Sequence, residues 1–329
     1  MGTRGSWVRT PPSRQTEKEM TEKEYVDKHT IYKVLTGSRL YGTDNKDSDI
    51  DMRGVCIVGK KYYFGFFETF EQYEDKEDDT VIFNIKKVLS LMANCNPNMF
   101  DLLFAPREFW QQTSVYWEEI WKNREMFISK KAKSSFCGYA NDQLKRIGTH
   151  RKWLFDPPDH QPTREEFGLK KKPTIREDLI RTVLSFPSEY IVEELREDVV
   201  KEQAYQKALQ TWRHYNKWKK ERNPARAALE ARIGYDAKHG MHLTRLLRMG
   251  REILVNGEVL PDRRKIDAEE LKQIRNCEWP YEKMMEEVRR LEDDLDRLRK
   301  TSTIPEEVDE KKVNDLCIEV TDMYWKDLG

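Results

Sequence analysis

The chain has 329 residues, with 38% hydrophobic and 36% charged side chains. That length suits roughly two domains with a buried core and strongly hydrated surfaces. Lysine plus arginine number 59 and aspartate plus glutamate number 59, so a basic coat over the whole molecule is excluded, and any surface for a polyanion has to be local. There is no apolar run of the 18 residues or so that a transmembrane helix needs, and no membrane partner is expected.

Residues 1–17 lack the apolar centre of a signal peptide and read as a disordered leader. Lys18 to His29 is polar and suits a short helix. Ile31 to Leu35 is a β-favouring run, ended by Thr36-Gly37-Ser38, and Arg39 to Lys46 is rich in turn formers. Asp49 to Val58 reads as a second strand and Thr80 to Phe83 as a third. Ile85, Val88, Leu89 and Met92 then recur at helical spacing until Asn96-Pro97-Asn98 breaks the pattern. Strands followed by helices describe an α+β domain over residues 18–130. Residues 131–329 read as a mostly helical domain. In it, Ala132 to Ile147 is amphipathic, residues 156–173 form a Pro-rich charged loop, and helical stretches cover Val200 to Lys220, Pro224 to Asn256 and Tyr281 to Arg299. The last stretch is so charged that a solvated face is expected. The five cysteines (Cys56, Cys95, Cys137, Cys277, Cys317) form no C-x-x-C pair, which fits reduced thiols in a cytoplasmic setting.

The informative stretch is Gly37-Ser38-Arg39-Leu40-Tyr41-Gly42 followed by Ser48-Asp49-Ile50-Asp51. On a strand, Asp49 and Asp51 would share one face while Ile50 pointed into the core. Two ionised carboxylates so close call for a hard divalent cation, and oxygen donors favour Mg²⁺ or Mn²⁺ over zinc. A calcium loop starting at Asp47 does not fit, because Met52 and Val58 stand where Gly and Glu are required. Gly37 allows close backbone approach, and the Ser38 hydroxyl with nearby N–H groups, including that of Arg39, can hold phosphate oxygens. Read as a structural feature alone, Gly-Ser would be an ordinary helix cap. A third carboxylate is expected on a neighbouring strand. Asp79 is the choice, with Asp78 as the alternative. Together these groups describe phosphoryl or nucleotidyl transfer by two metal ions, with Asp79 able to take the proton of an acceptor hydroxyl.

GSRLYGTDNKDSDIDMRGV resembles the G-S-x-x-x-G…S-D-x-D signature of the DNA polymerase beta-like nucleotidyltransferase superfamily. DDTVIFNIKKVLSLMANCNPNMFDLLFAP, SFCGYANDQLKRI and GYDAKHGMHLTRLLRMGREIL are similar to its bacterial and phage branch of predicted RNA-repair nucleotidyltransferases, over about residues 30 to 280. The resemblance implies a nucleotidyltransferase core, an NTP substrate held at Gly37 and Ser38, and metal bound by Asp49, Asp51 and Asp79.

From Lys207 to Arg251 there are twelve Lys and Arg against three Asp and Glu, so this region is locally basic. Arg213, Lys217, Lys219 and Lys220 alternate with Trp212, Tyr215 and Trp218, a composition suited to single-stranded RNA. The same spacing equally fits aromatic core residues with cations on the solvated side. Lys238, His242 and Arg245 share a helical face of donors suited to a triphosphate, or alternatively to salt bridges. A zinc site at His239 and His242 is disfavoured, because no Cys or third His lies nearby in sequence.

The resulting expectation is a metal-dependent enzyme that moves a nucleoside monophosphate from an NTP to an RNA or tRNA end and releases pyrophosphate. Two readings compete with it: the same chemistry on a protein side chain or small molecule, and a non-catalytic RNA-binding module.

Overall fold

A computed structural model describes residues 20–46, 48–173, 176–187, 191–222 and 224–328. The expected leader therefore lies outside the described residues, as does Asp47.

Helix α1 (Glu22–His29) opens on a capping box. The Thr21 hydroxyl accepts from the Glu24 N–H, and the Glu24 carboxylate accepts from the Thr21 N–H at 2.8 Å. Strand β1 (Thr30–Leu35) follows, then the one-turn helix α2 (Gly37–Tyr41), β2 (Met52–Cys56), α3 (Lys61–Phe64), β3 (Gln72–Asp75) and β4 (Thr80–Asn84). Asn84 and Asn96 cap α4 (Ile85–Ala93) and α5 (Pro97–Phe104), so the expected Asn-Pro break is a helix start. Next come β5 (Trp110–Gln112), α6 (Val115–Lys122), α7 (Lys131–Phe155), α8 (Glu177–Ser185), α9 (Glu193–Glu221), α10 (Pro224–Ile233), α11 (Ala237–Asn256), α12 (Ala268–Arg275), α13 (Tyr281–Thr301) and α14 (Glu310–Leu328).

The fold is α+β. Its sheet has the order β3-β4-β2-β1-β5. Only the β2–β4 pair is parallel, in the register Met52↔Thr80 to Cys56↔Asn84. β1 lies antiparallel to β2 and β5, and β3 antiparallel to β4.

Two compact units result. The first comprises Met1–Asn141, Met241–Gln273 and Met285–Gly329; the second comprises Asp142–Gly240 and Ile274–Met284. In the first unit the sheet packs on α4, α5 and α6 through Tyr32, Val34, Val55, Val88, Leu102 and Trp117, all buried, while Ile82 and Cys56 pack with Tyr25 and Val26 of α1. The Tyr32 ring stacks on Trp117 at 3.9 Å. α14 packs against α4 and α6, and the Trp325 indole N–H donates to the Val58 carbonyl at 3.1 Å. In the second unit the core holds Ile147, Trp153, Leu209, Tyr215, Tyr235 and Trp279. The half-buried Arg164 bonds the buried Glu202 and ties the loop after α7 to α9 through two bonds of 2.8 and 2.6 Å.

Several expectations need correction. The second strand starts at Met52 rather than Asp49, and Ile50 is 56% exposed instead of buried. The cause is Arg39, whose guanidinium donates to the carbonyls of Ser48 (2.9 Å) and Asp49 (3.2 Å) and removes them from any ladder. β3 and β5 are short and polar and carry no alternating pattern that would announce them. α13 is solvated on one face only, because Val288, Leu291 and Leu295 are buried. None of the five cysteines is joined in a disulfide, and burial pushes the Cys56 thiol up to about 12. Among the described residues no helix is long and apolar enough to cross a membrane.

Candidate active site

The Gly-Ser turn and the acidic loop meet at the end of the β1–β2 pair. The ladder ends with Leu35 opposite Met52, and one further bond, from the Thr36 N–H to the Asp51 carbonyl at 2.9 Å, carries it to the carboxylate. The Thr36 hydroxyl donates to the same carbonyl at 3.2 Å. Gly37 then turns into α2 with φ +67°, and a Cβ built there would stand 2.0 Å from Asp51 Oδ2. Only glycine fits, for two independent reasons: the left-handed backbone and the carboxylate resting against its Cα. Gly42, the second glycine of the signature, ends α2 at φ +68° beneath the side-chain stem of Arg264. Ser38 stands half-buried in the first turn of α2.

Asp49 is exposed on the loop that Arg39 holds by its carbonyls. Arg39 is therefore committed to shaping the loop. Asp51 is half-buried, with Oδ1 at 3.9 Å from Arg53 Nη2. Asp79 immediately precedes β4, the parallel neighbour of β2. Its carbonyl accepts from the Met52 N–H (3.1 Å) and from Arg53 Nη1 (3.0 Å), which sets the backbones of Asp51 and Asp79 side by side. Asp79 itself has φ +49°. Asp78 is engaged elsewhere, with its carboxylate 3.1 Å from Lys23 Nζ, which Asp75 also binds at 2.6 Å. The side chains of Asp49, Asp51 and Asp79 do not converge to within 4.8 Å of one another.

Beneath α2 lies a buried triad that takes in Arg245, which the sequence suggests for a triphosphate-binding face. The Tyr41 hydroxyl donates to Asp101 Oδ2 at 2.5 Å, and the Arg245 guanidinium lies 3.7 Å over the Tyr41 ring with Nη1 3.6 Å from Asp101 Oδ1. Burial raises the Asp101 carboxyl above its usual range, although Arg245 and the Tyr41 hydrogen bond oppose it, and burial likewise holds the Tyr41 phenol protonated. Arg245 is 4% exposed and its Nη1 donates to Met249 Sδ at 3.1 Å, so its guanidinium is turned into the core rather than toward a solvent-facing surface. On the same helix, Lys238 is exposed and His242 half-buried. Arg53, a cation set among the carboxylates, was missed. It stands two residues after Asp51, which is the one clue the sequence offered.

In the second unit Arg213, Lys217, Lys219 and Lys220 are exposed along α9. Their aromatic neighbours face inward. Tyr215 is buried, and Trp218 packs 5.2 Å from Trp153. Of the two readings left open for this stretch, the aromatic-core one describes the packing, with the cations on the outer face.

Residues 13–154 match the model of the RNA repair pathway DNA polymerase beta family. The resemblance read from the Gly-Ser and acidic motifs thus holds over the sheet, the acidic loop and α1 to nearly the end of α7. Of the helical stretches that also suggested it, SFCGYANDQLKRI lies within this match and GYDAKHGMHLTRLLRMGREIL beyond it. An uncharacterized 38.9 kDa protein from the nrdC-mobD intergenic region of Enterobacteria phage T4 is 27% identical over 131 residues, which is 36% of this chain and 39% of the phage protein. The chain therefore spans about two fifths of that relative's length. No solved structure matches the chain.

Proposed function

We propose that the chain is a metal-dependent nucleotidyltransferase that moves a nucleoside monophosphate from an NTP to an acceptor hydroxyl or phosphate at an RNA end, releasing pyrophosphate. The observation that carries this reading is the seat of Asp51 Oδ2 directly on the Cα of Gly37, which joins a phosphate-type turn to a carboxylate with no side chain between them.

The donor set fits a hard divalent cation. Asp49, Asp51 and Asp79 offer only oxygens, on a loop and a strand end tied by backbone bonds. Mg²⁺ or Mn²⁺ there would supply charge neutralisation at the phosphates and lower the pKa of the attacking hydroxyl. The chain's own groups do the rest. Gly37 leaves room for a phosphate oxygen, and Ser38 presents a hydroxyl donor to it. Arg39 fixes the loop so that Asp49 and Asp51 are held at a set spacing. Asp79 would accept the proton of the attacking hydroxyl at its carboxylate. Arg53 balances the acidic charge beside Asp51 and holds the Asp79 carbonyl. The exposed cations of α9 offer contacts for single-stranded RNA phosphates. The family's description, which names an RNA repair pathway, favours RNA over other acceptors.

The test offers radiolabelled NTPs with RNA, protein and small-molecule acceptors in separate reactions containing Mg²⁺. Label transferred to RNA supports the whole reading. Label transferred only to protein or a small molecule keeps the chemistry and replaces the acceptor. RNA binding that is indifferent to EDTA, with no turnover of any NTP, would leave a non-catalytic binding module.

A further inference from the structure

The second unit holds another constellation of ligand-type side chains. His150 lies on α7, Asp236 just before α11, and His239 in its first turn. His150 Nδ1 is 3.0 Å from Asp236 Oδ2, and His239 Nε2 is 3.7 Å from the same oxygen. One ligand atom from each lies within 4.8 Å of the others, and no other trio among the described residues does this. Ligands at about 2.0–2.1 Å around a tetrahedral zinc stand roughly 3.3 Å apart, a spacing that these two distances bracket.

Hydrogen bonding orients the donors. Asp236 Oδ1 accepts from the His239 backbone N–H at 3.2 Å, while Oδ2 is the oxygen near both rings. His239 Nδ1 is 2.7 Å from Gln143 Oε1, an atom that only accepts, so Nδ1 carries the proton. His239 Nε2 then faces Asp236 Oδ2 at 3.7 Å, beyond direct hydrogen-bond distance, a separation that an ion shared by the two atoms would span. A ring N–H held by a carbonyl is also how metal-ligating histidines are commonly fixed in orientation. The site is walled by indoles: His150 stacks on Trp153 at 5.6 Å and lies 5.3 Å from Trp218. The side chains of His150, Asp236 and His239 are 15%, 5% and 19% exposed, which leaves an approach for a small ion.

We propose that His150, Asp236 and His239 bind one zinc-type divalent ion, with Gln143 positioning His239. Two imidazoles and one carboxylate suit Zn²⁺ rather than the Mg²⁺ expected at an all-oxygen site. Three protein ligands leave a fourth position for water. His242, the zinc partner considered from sequence, is replaced by His150, which lies 86 residues before Asp236.

The test titrates the full-length, metal-stripped protein with Zn²⁺ by equilibrium dialysis and with Co²⁺ by visible absorption. One equivalent of Zn²⁺ and a tetrahedral Co²⁺ spectrum are expected. His150→Ala and His239→Ala should each weaken binding at least 100-fold, and Gln143→Ala by about 10- to 100-fold. Asp49→Ala/Asp51→Ala should bind the same equivalent, so loss of the acidic site and loss of this one are separable. Absence of binding at micromolar Zn²⁺, or binding unchanged in both histidine variants, would overturn the proposal. Should a histidine variant lose its helical circular dichroism, Gln143→Ala keeps all three ligands and decides: weakening supports the site and unchanged affinity refutes it.

Discussion

Gly37→Ala puts a methyl group where Asp51 Oδ2 already stands and asks alanine to adopt φ +67°. The backbone alone costs about 1–2 kcal/mol, and the carboxylate has to move as well. Nucleotide transfer should fall at least about 100-fold, the effect of roughly 1 Å of misplacement at a reacting centre, while circular dichroism stays that of the parent. The choice between the two adjacent acids is equally specific. Asp79 is bonded through its backbone to Met52 and Arg53, whereas Asp78 pairs with Lys23. Asp79→Asn should therefore abolish transfer, and Asp78→Asn should leave initial rates within a few-fold. The opposite ranking would move the third carboxylate to Asp78. Both expectations were half-legible in the chain. Glycine, serine and paired aspartates announce themselves by type and spacing. The role of Arg39 did not, because an arginine beside a phosphate-type turn and an arginine bracing a loop look identical until its carbonyl partners are known.

At the scale of elements, the acidic loop rests on β1, β2 and β4, and these were readable because apolar β-favouring runs mark buried strands. β3 and β5 were not readable, since edge strands of three or four polar residues are held by their neighbours more than by their own pattern. The helices carry a comparable hidden constraint. Arg263 is fully buried and donates to Glu252 on α11 at 2.5 and 2.7 Å and to Asp267, just before α12, at 2.7 Å. Two half-buried acids hold one fully buried guanidinium, and its removal takes from Glu252 this partner and leaves Asp267 to Arg248. Arg263→Ala should destabilise the fold by about 3–5 kcal/mol in denaturant titration. A change below about 1 kcal/mol would mean that the network is better solvated than its burial implies. Nothing in the local sequence distinguishes Arg263 from the exposed Arg264 beside it; burial alone separates them.

Across the whole molecule, a net charge of zero conceals local segregation, and the exposed cations of α9 are where a polyanion surface is expected. Changing Lys217, Lys219 and Lys220 together to alanine should lower the slope of log K against log salt for single-stranded RNA by about 2, at roughly 0.7 per phosphate contact. An unchanged slope would move the RNA surface elsewhere. The Gly-Ser and paired-aspartate motif is legible because its residues are close in sequence, and the α+β class followed from the order of strand-like and helical runs. The His150–Asp236–His239 cluster did not, since it brings together residues whose separation only folding closes. The central claim, that Asp49 and Asp51 belong to a nucleotidyl-transfer site, is tested most directly by NTP turnover in the Asp49→Ala/Asp51→Ala double variant with its fold verified by circular dichroism. Pyrophosphate release indistinguishable from background is the expected result; turnover persisting at the parent rate would contradict the assignment.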